Sequence, residues 1–237
     1  MNANQNQRQN PKAVLITGAH DRLGLEIAKE CLDLGYNVII HHRTSAEPAA
    51  SLFNGDNRVA FIHAELTESA QKLMGDAATL PLTLEGLINN AAVFQPGDIS
   101  DVGGFECALA VNTLAPLRLS AEFARLVKSG WIINVTDARA AHRSKKYQNY
   151  RISKLFLDEI TRQSAYLYAP AIRVNAIAPG AVLPSSDEEQ TVLEGLSSGI
   201  PLNKTGGIGD IRKAVKFLIE SGYVTGAVVP VDGGWGL

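Results

Sequence analysis

Tyr150 and Lys154 stand four residues apart in Tyr150-Arg151-Ile152-Ser153-Lys154, at the start of a strongly periodic stretch. On a helix that spacing puts a phenol and an ammonium on one face. The ammonium favours the phenolate, so the pairing is expected to lower the tyrosine pKa toward a working range for proton transfer. Asp137 lies thirteen positions earlier, where the apolar run Trp131-Ile132-Ile133-Asn134-Val135 gives way to Thr136-Asp137. A carboxylate at that strand edge faces the same crevice. Asn112 precedes Pro116 by four residues in a helical stretch from about Phe105 to Val127. Proline has no N–H to give, so the Asn112 carbonyl loses its helical partner and is left to hold a water or to mark a packing kink.

A Tyr-x-x-x-Lys pair is also a common surface pairing, so its meaning depends on the elements that position it. The first is the loop Thr17-Gly18-Ala19-His20-Asp21-Arg22-Leu23-Gly24. It follows the apolar strand Ala13-Val14-Leu15-Ile16 and opens a helix with Leu23, Ile27, Cys31 and Leu34 along one stripe and Gly35 at its end. Such a turn aims backbone N–H groups and the positive end of a helix dipole at one spot, which suits a phosphate. Arg22 occupies the middle-glycine position of a G-x-G-x-x-G pattern, so a ligand-free glycine turn is the alternative.

The second strand, Asn37 to His42, is followed by Arg43-Thr44-Ser45, at the edge where the adenosine ribose of a dinucleotide lies. A guanidinium and two hydroxyls there suit the 2′-phosphate of NADP, with His42 beside them and Arg22 as a second positive charge. A third strand, Arg58 to His63, ends in Ala64-Glu65-Leu66, with Glu65 placed to meet an adenine amino group. Neighbouring strand residues face opposite ways, so His41 and His42 do not converge on a metal, and none is expected.

A helix from about Glu68 to Leu80 leads to the strand Gly86-Leu87-Ile88 and to Asn89-Asn90-Ala91-Ala92-Val93-Phe94. Small residues after a strand let a flat ring approach the backbone, or form only a tight turn. The sixth strand, Ile172 to Ala178, ends in Pro179-Gly180, and a polar segment at about 181–207 is a natural lid over substrate. A helix from about Gly209 to Glu220 and a strand from Ala227 to Val231 complete the pattern. Alternating strands and helices predict one Rossmann-type, doubly wound α/β domain over 12–237, with a mainly parallel seven-stranded sheet and helices on both faces.

The 237 residues, 46% hydrophobic and 19% charged, suffice for one sizeable core. A net charge of −2 gives no electrostatic case for nucleic acid or an anionic membrane, and no apolar run approaches a membrane span. Residues 1–11 read as a disordered polar tail without the apolar core of a secretory signal. Cys31 and Cys107 both fall in helical stretches and are expected as buried free thiols, in keeping with a cytoplasmic protein.

Taken together, Thr17-Gly18 with Gly24, Asn89-Asn90-Ala91, Asn112, Tyr150 with Lys154, Pro179-Gly180 and Val231-Asp232-Gly233-Gly234 resemble the short-chain dehydrogenase/reductase family from about Ala13 to Leu237. The resemblance implies that NADPH is held by Thr17, Gly18, Arg22, Leu23, Gly24, His42, Arg43, Thr44, Ser45, Glu65, Leu66, Asn90, Ala91, Tyr150, Lys154, Pro179 and Gly180. It also implies that Tyr150 donates a proton, that Lys154 binds the nicotinamide ribose and lowers the tyrosine pKa, and that Asn112 anchors a relay water. Asp137 stands where family members usually carry Ser, and Arg22 where they usually carry Gly. The pteridine reductases and bacterial dihydromonapterin reductases look like this sequence at both points. That branch implies a pterin-like substrate touching Arg22, Phe94, Asp137 and Tyr150, with Phe94 stacked on the pterin, and a homotetramer. Ala92 departs from the serine that some of these reductases carry, and Phe94 reads equally as core packing. A ketone or 3-oxoacyl reductase with Thr136 in place of the missing serine is the nearest alternative. A non-catalytic NADP-sensing protein is the other.

Overall fold

Central parallel strands need apolar residues on both faces, and β1 (Lys12–Thr17) is buried at every position after Lys12. In the computed structural model, which describes residues 10–182 and 195–237, β1 lies between β2 (Asn37–His42) and β4 (Thr83–Asn89). With β3 (Val59–His63), β5 (Gly130–Val135), β6 (Ile172–Pro179) and β7 (Val228–Val231), they form one sheet in the order β3-β2-β1-β4-β5-β6-β7. Every pair in it is parallel. The order reverses direction at β1 and β4, and the crevice beyond the C-terminal ends of such neighbouring strands is where doubly wound sheets bind ligands.

Two apolar layers close the sheet. On one side α1 (Arg22–Asp33) and the penultimate element, helix Ile208–Glu220, bury Ile27, Ala28, Cys31, Ile211, Val215 and Leu218 against Val14, Ile16, Ile40 and Ile133. Each fully buried Leu or Ile contributes about 1.5–3 kcal/mol, so these stripes hold the layer. Arg212 reaches across it to Glu30 at 2.6 Å and to Asp33, tying the two helices together. On the other side the helices Leu66–Thr79, Ala115–Leu126 and Gln148–Tyr168 cover Leu15, Ile39, Leu87 and Val174.

Among the described residues the α-helices, in chain order, are α1, α2 (Ala49–Leu52), α3 (Leu66–Thr79), α4 (Val102–Leu109), α5 (Ala115–Leu126), α6 (Gln148–Tyr168) and α7 (Ile208–Glu220). The single helix expected from Phe105 to Val127 is α4 and α5 joined by a π-helical turn over Ala110–Leu114. Pro116 explains the break: it has no N–H for the Asn112 carbonyl, and the turn widens so that Ala115 N–H reaches the Ala110 carbonyl, five residues back. Strand β4 is longer than Gly86 to Ile88, and α3 begins at Leu66 because the Glu65 side chain caps it through the Thr67 N–H.

Cys31 is buried as expected. Cys107 is exposed, because α4 buries only Ala108 and leaves Cys107 on its outer face. Among the described residues no helix is long and apolar enough to cross a membrane. Most of the tail expected at 1–11, and the centre of the lid expected at 181–207, lie outside the described residues.

Candidate active site

Gly18 and Gly24 let the β1–α1 turn pack closely. Gly18 sits at φ +60, and a Cβ there would lie 3.0 Å from the Ala91 Cα. A Cβ on Gly24 would lie 2.6 Å from Asn90 Nδ2. Arg22 itself adopts φ +49, the left-handed backbone that a glycine takes without cost, so an arginine is held in a strained conformation at the mouth of the cleft. Asp21 occupies the N-cap of α1 but makes no side-chain capping bond, which leaves that helix end available to an anion.

The turn opens onto a cleft of about 360 Å³ lined by Gly18, Arg22, Leu23, Gly24, Arg43 and Thr44, and further by Glu65, Leu66, Asn90, Ala91 and Val93. Seven of the expected cofactor residues, Thr17, His42, Ser45, Tyr150, Lys154, Pro179 and Gly180, are not among those that line this cleft. The Thr17 hydroxyl accepts the Asn90 and Ala91 N–H groups, both at 3.0 Å, and so ties the end of β1 to the loop after β4. His42 packs its ring against His63 with centroids 5.5 Å apart. Ser45 turns its hydroxyl to the Glu47 N–H. Pro179 and Gly180 end β6, where the Pro179 carbonyl accepts the Ala138 N–H.

His41 was not singled out for this role, yet it holds the glycine turn. Its Nδ1 accepts the Gly18 N–H at 3.1 Å, and its Nε2 lies 3.0 Å from the Ala64 carbonyl, which fixes the neutral Nε2–H tautomer. Burial lowers its pKa from 6.5 to about 4, so the ring stays neutral near pH 7. The signal for it is a polar ring at a position that should be buried. Asn134, inside the apolar β5 run, carries the same signal: its Oδ1 accepts from Asn89 and its Nδ2 donates to Thr161, both at 2.8 Å.

Tyr150, on the first turn of α6, donates its hydroxyl to Asp137 Oδ2 at 3.1 Å. Asp137 Oδ1 accepts the Arg139 N–H at 2.7 Å, which orients the carboxylate. Lys154 is fully buried and donates to the Val135 carbonyl at 2.7 Å. Burial lowers its pKa from 10.5 to about 8, with Asp137 and Asp158 opposing the shift. Contrary to the expectation from the spacing, Lys154 is not among the charges that set the Tyr150 pKa. Burial first, and then the charge and hydrogen bond of Asp137, raise the Tyr150 pKa well above its usual 10.0. The phenol is therefore held protonated.

Asn112 is buried, with Oδ1 accepting the Val93 N–H at 2.8 Å and Nδ2 donating to the Val93 carbonyl and Ser153 Oγ. Ser153 in turn donates to the Tyr150 carbonyl at 2.6 Å. The side chain therefore ties the loop after β4 to the helix that carries Tyr150. Phe94, at the end of that loop, is 52% exposed, so it is not a core residue. Its ring stands edge-on to Tyr150 with centroids 4.7 Å apart and stacks on Tyr147 at 4.5 Å. Tyr147, three residues before Tyr150, was not anticipated. Thr136 is buried and its hydroxyl donates to the Ile177 carbonyl, so it does not take the place of a serine beside Tyr150.

A C-terminal strap braces the Asp137 loop. Asp232 accepts the Gly234 and Gly236 N–H groups, folding the terminus back so that Trp235 lies under the Arg139 guanidinium at 4.5 Å. His142 Nε2 meets the Gly236 carbonyl at 3.1 Å, and Arg151 donates to the His142 carbonyl at 2.8 Å. The loop is thus pinned to the terminus on one side and to α6 on the other.

The family model described as enoyl-(acyl carrier protein) reductase matches residues 18–236. An uncharacterized oxidoreductase of Thermotoga maritima is 28% identical, covering 94% of this chain and 96% of that protein. A dihydromonapterin reductase of Escherichia coli is 26% identical over the same shares. The crystal structure of FolM alternative dihydrofolate reductase 1 from Brucella suis in complex with NADP superposes with a TM-score of 0.88 at 28% identity, covering 94% of each chain. A family match over nearly the whole length, on a shared fold, leads to one assignment: this chain belongs to the short-chain dehydrogenase/reductase family of oxidoreductases.

Proposed function

We propose that this protein is an NADPH-dependent reductase acting on a C=N bond of a pterin, a dihydropterin or dihydrofolate. The observation that carries the reading is the hydrogen bond between Tyr150 and Asp137 beside the half-exposed ring of Phe94. A carboxylate only accepts hydrogen bonds, and a reduced pterin ring presents N–H donors; a serine would instead donate to a carbonyl. The names borne by the Escherichia coli and Brucella suis proteins point the same way.

The cleft fits a dinucleotide phosphate. Arg43 and Thr44 would hold the 2′-phosphate, the turn at the head of α1 the pyrophosphate, Glu65 and Leu66 the adenine, and Asn90 and Ala91 the nicotinamide end. NADPH, when bound, supplies the hydride. Tyr150 supplies the proton to the ring nitrogen from its hydroxyl, which burial and Asp137 keep protonated. Loss of that proton leaves a phenolate beside Asp137, so the pair recovers a proton readily. Phe94 offers its face to a flat ring.

A homotetramer in the cytoplasm belongs to the same reading. Leu155 and Phe156, exposed on α6, are apolar surface for a second copy, and light scattering tests the assembly.

The substrate reading is tested by following NADPH consumption with a dihydropterin, dihydrofolate and an acetoacetyl thioester, each repeated with NADH. Turnover of the pterins with NADPH is expected. Turnover of the thioester alone moves the assignment to ketone reduction.

A further inference from the structure

Between 138 and 157 the chain carries Arg139, Arg143, Lys145, Lys146, Arg151 and Lys154, and no Asp or Glu. The whole chain has a net charge of −2, so this concentration is local. It covers the loop from Asp137 to Tyr150 and the first turns of α6. Elsewhere many cations are paired: Lys12, Lys29, Arg58, Lys72, Arg125 and Arg212 each meet a carboxylate at 2.9 Å or less. Among the described residues none of the five cations outside the buried Lys154 makes an ion pair.

Two of the five are fixed in place. Arg139 is stacked on Trp235, and its Nε is buried without a hydrogen-bond partner. Arg151 is anchored on the His142 carbonyl. Burial and the nearby Arg139 charge together lower the Arg151 pKa, so the two guanidinium groups repel one another, with Asp137 as the opposing charge. Like charges held together cost stability, and folds accept such costs at functional sites. The other three, Arg143, Lys145 and Lys146, are exposed. Lys146 lies 5.3 Å over the Tyr147 ring, which stacks on Phe94, and Phe94 in turn meets Tyr150. Contacts therefore run from Tyr150 through Phe94 and Tyr147 to the Lys146 charge.

We propose that Arg139, Arg143, Lys145, Lys146 and Arg151 form a rim that binds an anionic tail on the substrate, so that the preferred pteridine carries carboxylate or phosphate groups. The inference rests on the pterin reading above. A flat ring reaching Phe94 leaves its substituent to run outward past Tyr147, into the field of the rim. Facing charges of opposite sign raise the encounter rate and the affinity for such a tail, and salt weakens both.

The test compares kcat/KM at saturating NADPH for dihydrofolate, a phosphorylated dihydroneopterin and an uncharged dihydropterin, at low and high salt, in the natural protein and in Lys145→Glu/Lys146→Glu. At low salt at least one anionic substrate is expected to exceed the uncharged one by about tenfold, with the advantage shrinking as salt rises. Charge reversal is expected to cut the anionic-to-uncharged ratio by about tenfold or more. Which anion gains separates carboxylate from phosphate recognition. A ratio that is the same in both proteins overturns the proposal. If the double variant does not fold, Arg143→Gln supplies the same comparison. If the natural protein reduces no pterin, the function reading fails, and the rim is judged by binding alone. Folic acid must then quench the fluorescence of the NADP-loaded protein at lower concentration than uncharged pterin does, and equal affinities overturn it.

Discussion

The Tyr150 hydroxyl donates to Asp137 Oδ2 at 3.1 Å, while Lys154 on the same helix face turns its ammonium to the Val135 carbonyl. The proposed proton donor is therefore paired with a carboxylate, and its pKa is held up by burial and by that carboxylate. Asp137→Asn removes the charge that helps hold the Tyr150 proton. Turnover is expected to fall by about a hundredfold or more, while NADPH titration stays within about twofold. The residual activity should lose its alkaline limb at lower pH than in the natural protein, because the tyrosine pKa drops toward its ordinary value. An unshifted limb would show that Asp137 does not act on Tyr150.

Arg43 lines the cleft, at the end proposed for the ribose phosphate. Arg43→Ala is expected to weaken NADPH by about 1.5–3 kcal/mol, roughly ten- to a hundredfold, and NADH hardly at all. Titration with both cofactors decides it, and equal losses would remove Arg43 from the phosphate site.

His41 links the glycine turn to β3 as a neutral ring. Its pKa is lowered from 6.5 to about 4, so between those values the unfolded chain binds more protons than the folded one. The stability it contributes is complete above the unfolded value and is lost, by about 3 kcal/mol, as pH falls through that window. Denaturation of His41→Gln across pH should show a correspondingly flatter acid limb than the natural protein. Parallel limbs would mean that His41 titrates as an ordinary histidine.

Trp235 braces Arg139, whose N–H orients Asp137. Trp235→Ala is expected to reduce kcat by about tenfold with little change in NADPH affinity, and Trp235→Phe, which keeps a ring under the guanidinium, to recover most of it. Loss of thermal stability with kcat intact would reduce the strap to a structural role.

Much of this was legible in the sequence because it is written in short spacings. The β1–α1 turn, Arg43 after β2, and Tyr150 with Lys154 are each local patterns, and they lie where the spacing put them. Contacts between distant segments were not legible. Phe94 meets Tyr147 only because the loop after β4 and the start of α6 converge, and Trp235 meets Arg139 only because Asp232 folds the terminus back. The direction of the Tyr150 pKa is not legible for the same reason: spacing shows Lys154 four residues away, but neither the burial that raises the phenol's pKa most nor the Asp137 carboxylate that faces it. Cys107 was expected inside because helical periodicity does not say which face of a short helix meets the core.

The claim at the centre of this account is that Asp137 with Tyr150 builds a site for a ring nitrogen rather than for a ketone. The most direct measurement is the ratio of kcat/KM for a dihydropterin to that for a 3-oxoacyl thioester, with NADPH, in the natural protein and in Asp137→Ser. The account predicts a ratio strongly in favour of the dihydropterin that collapses by about a hundredfold or more in the serine variant, with thioester turnover retained or raised. A natural protein that prefers the thioester, or a serine variant with an unchanged ratio, would contradict it.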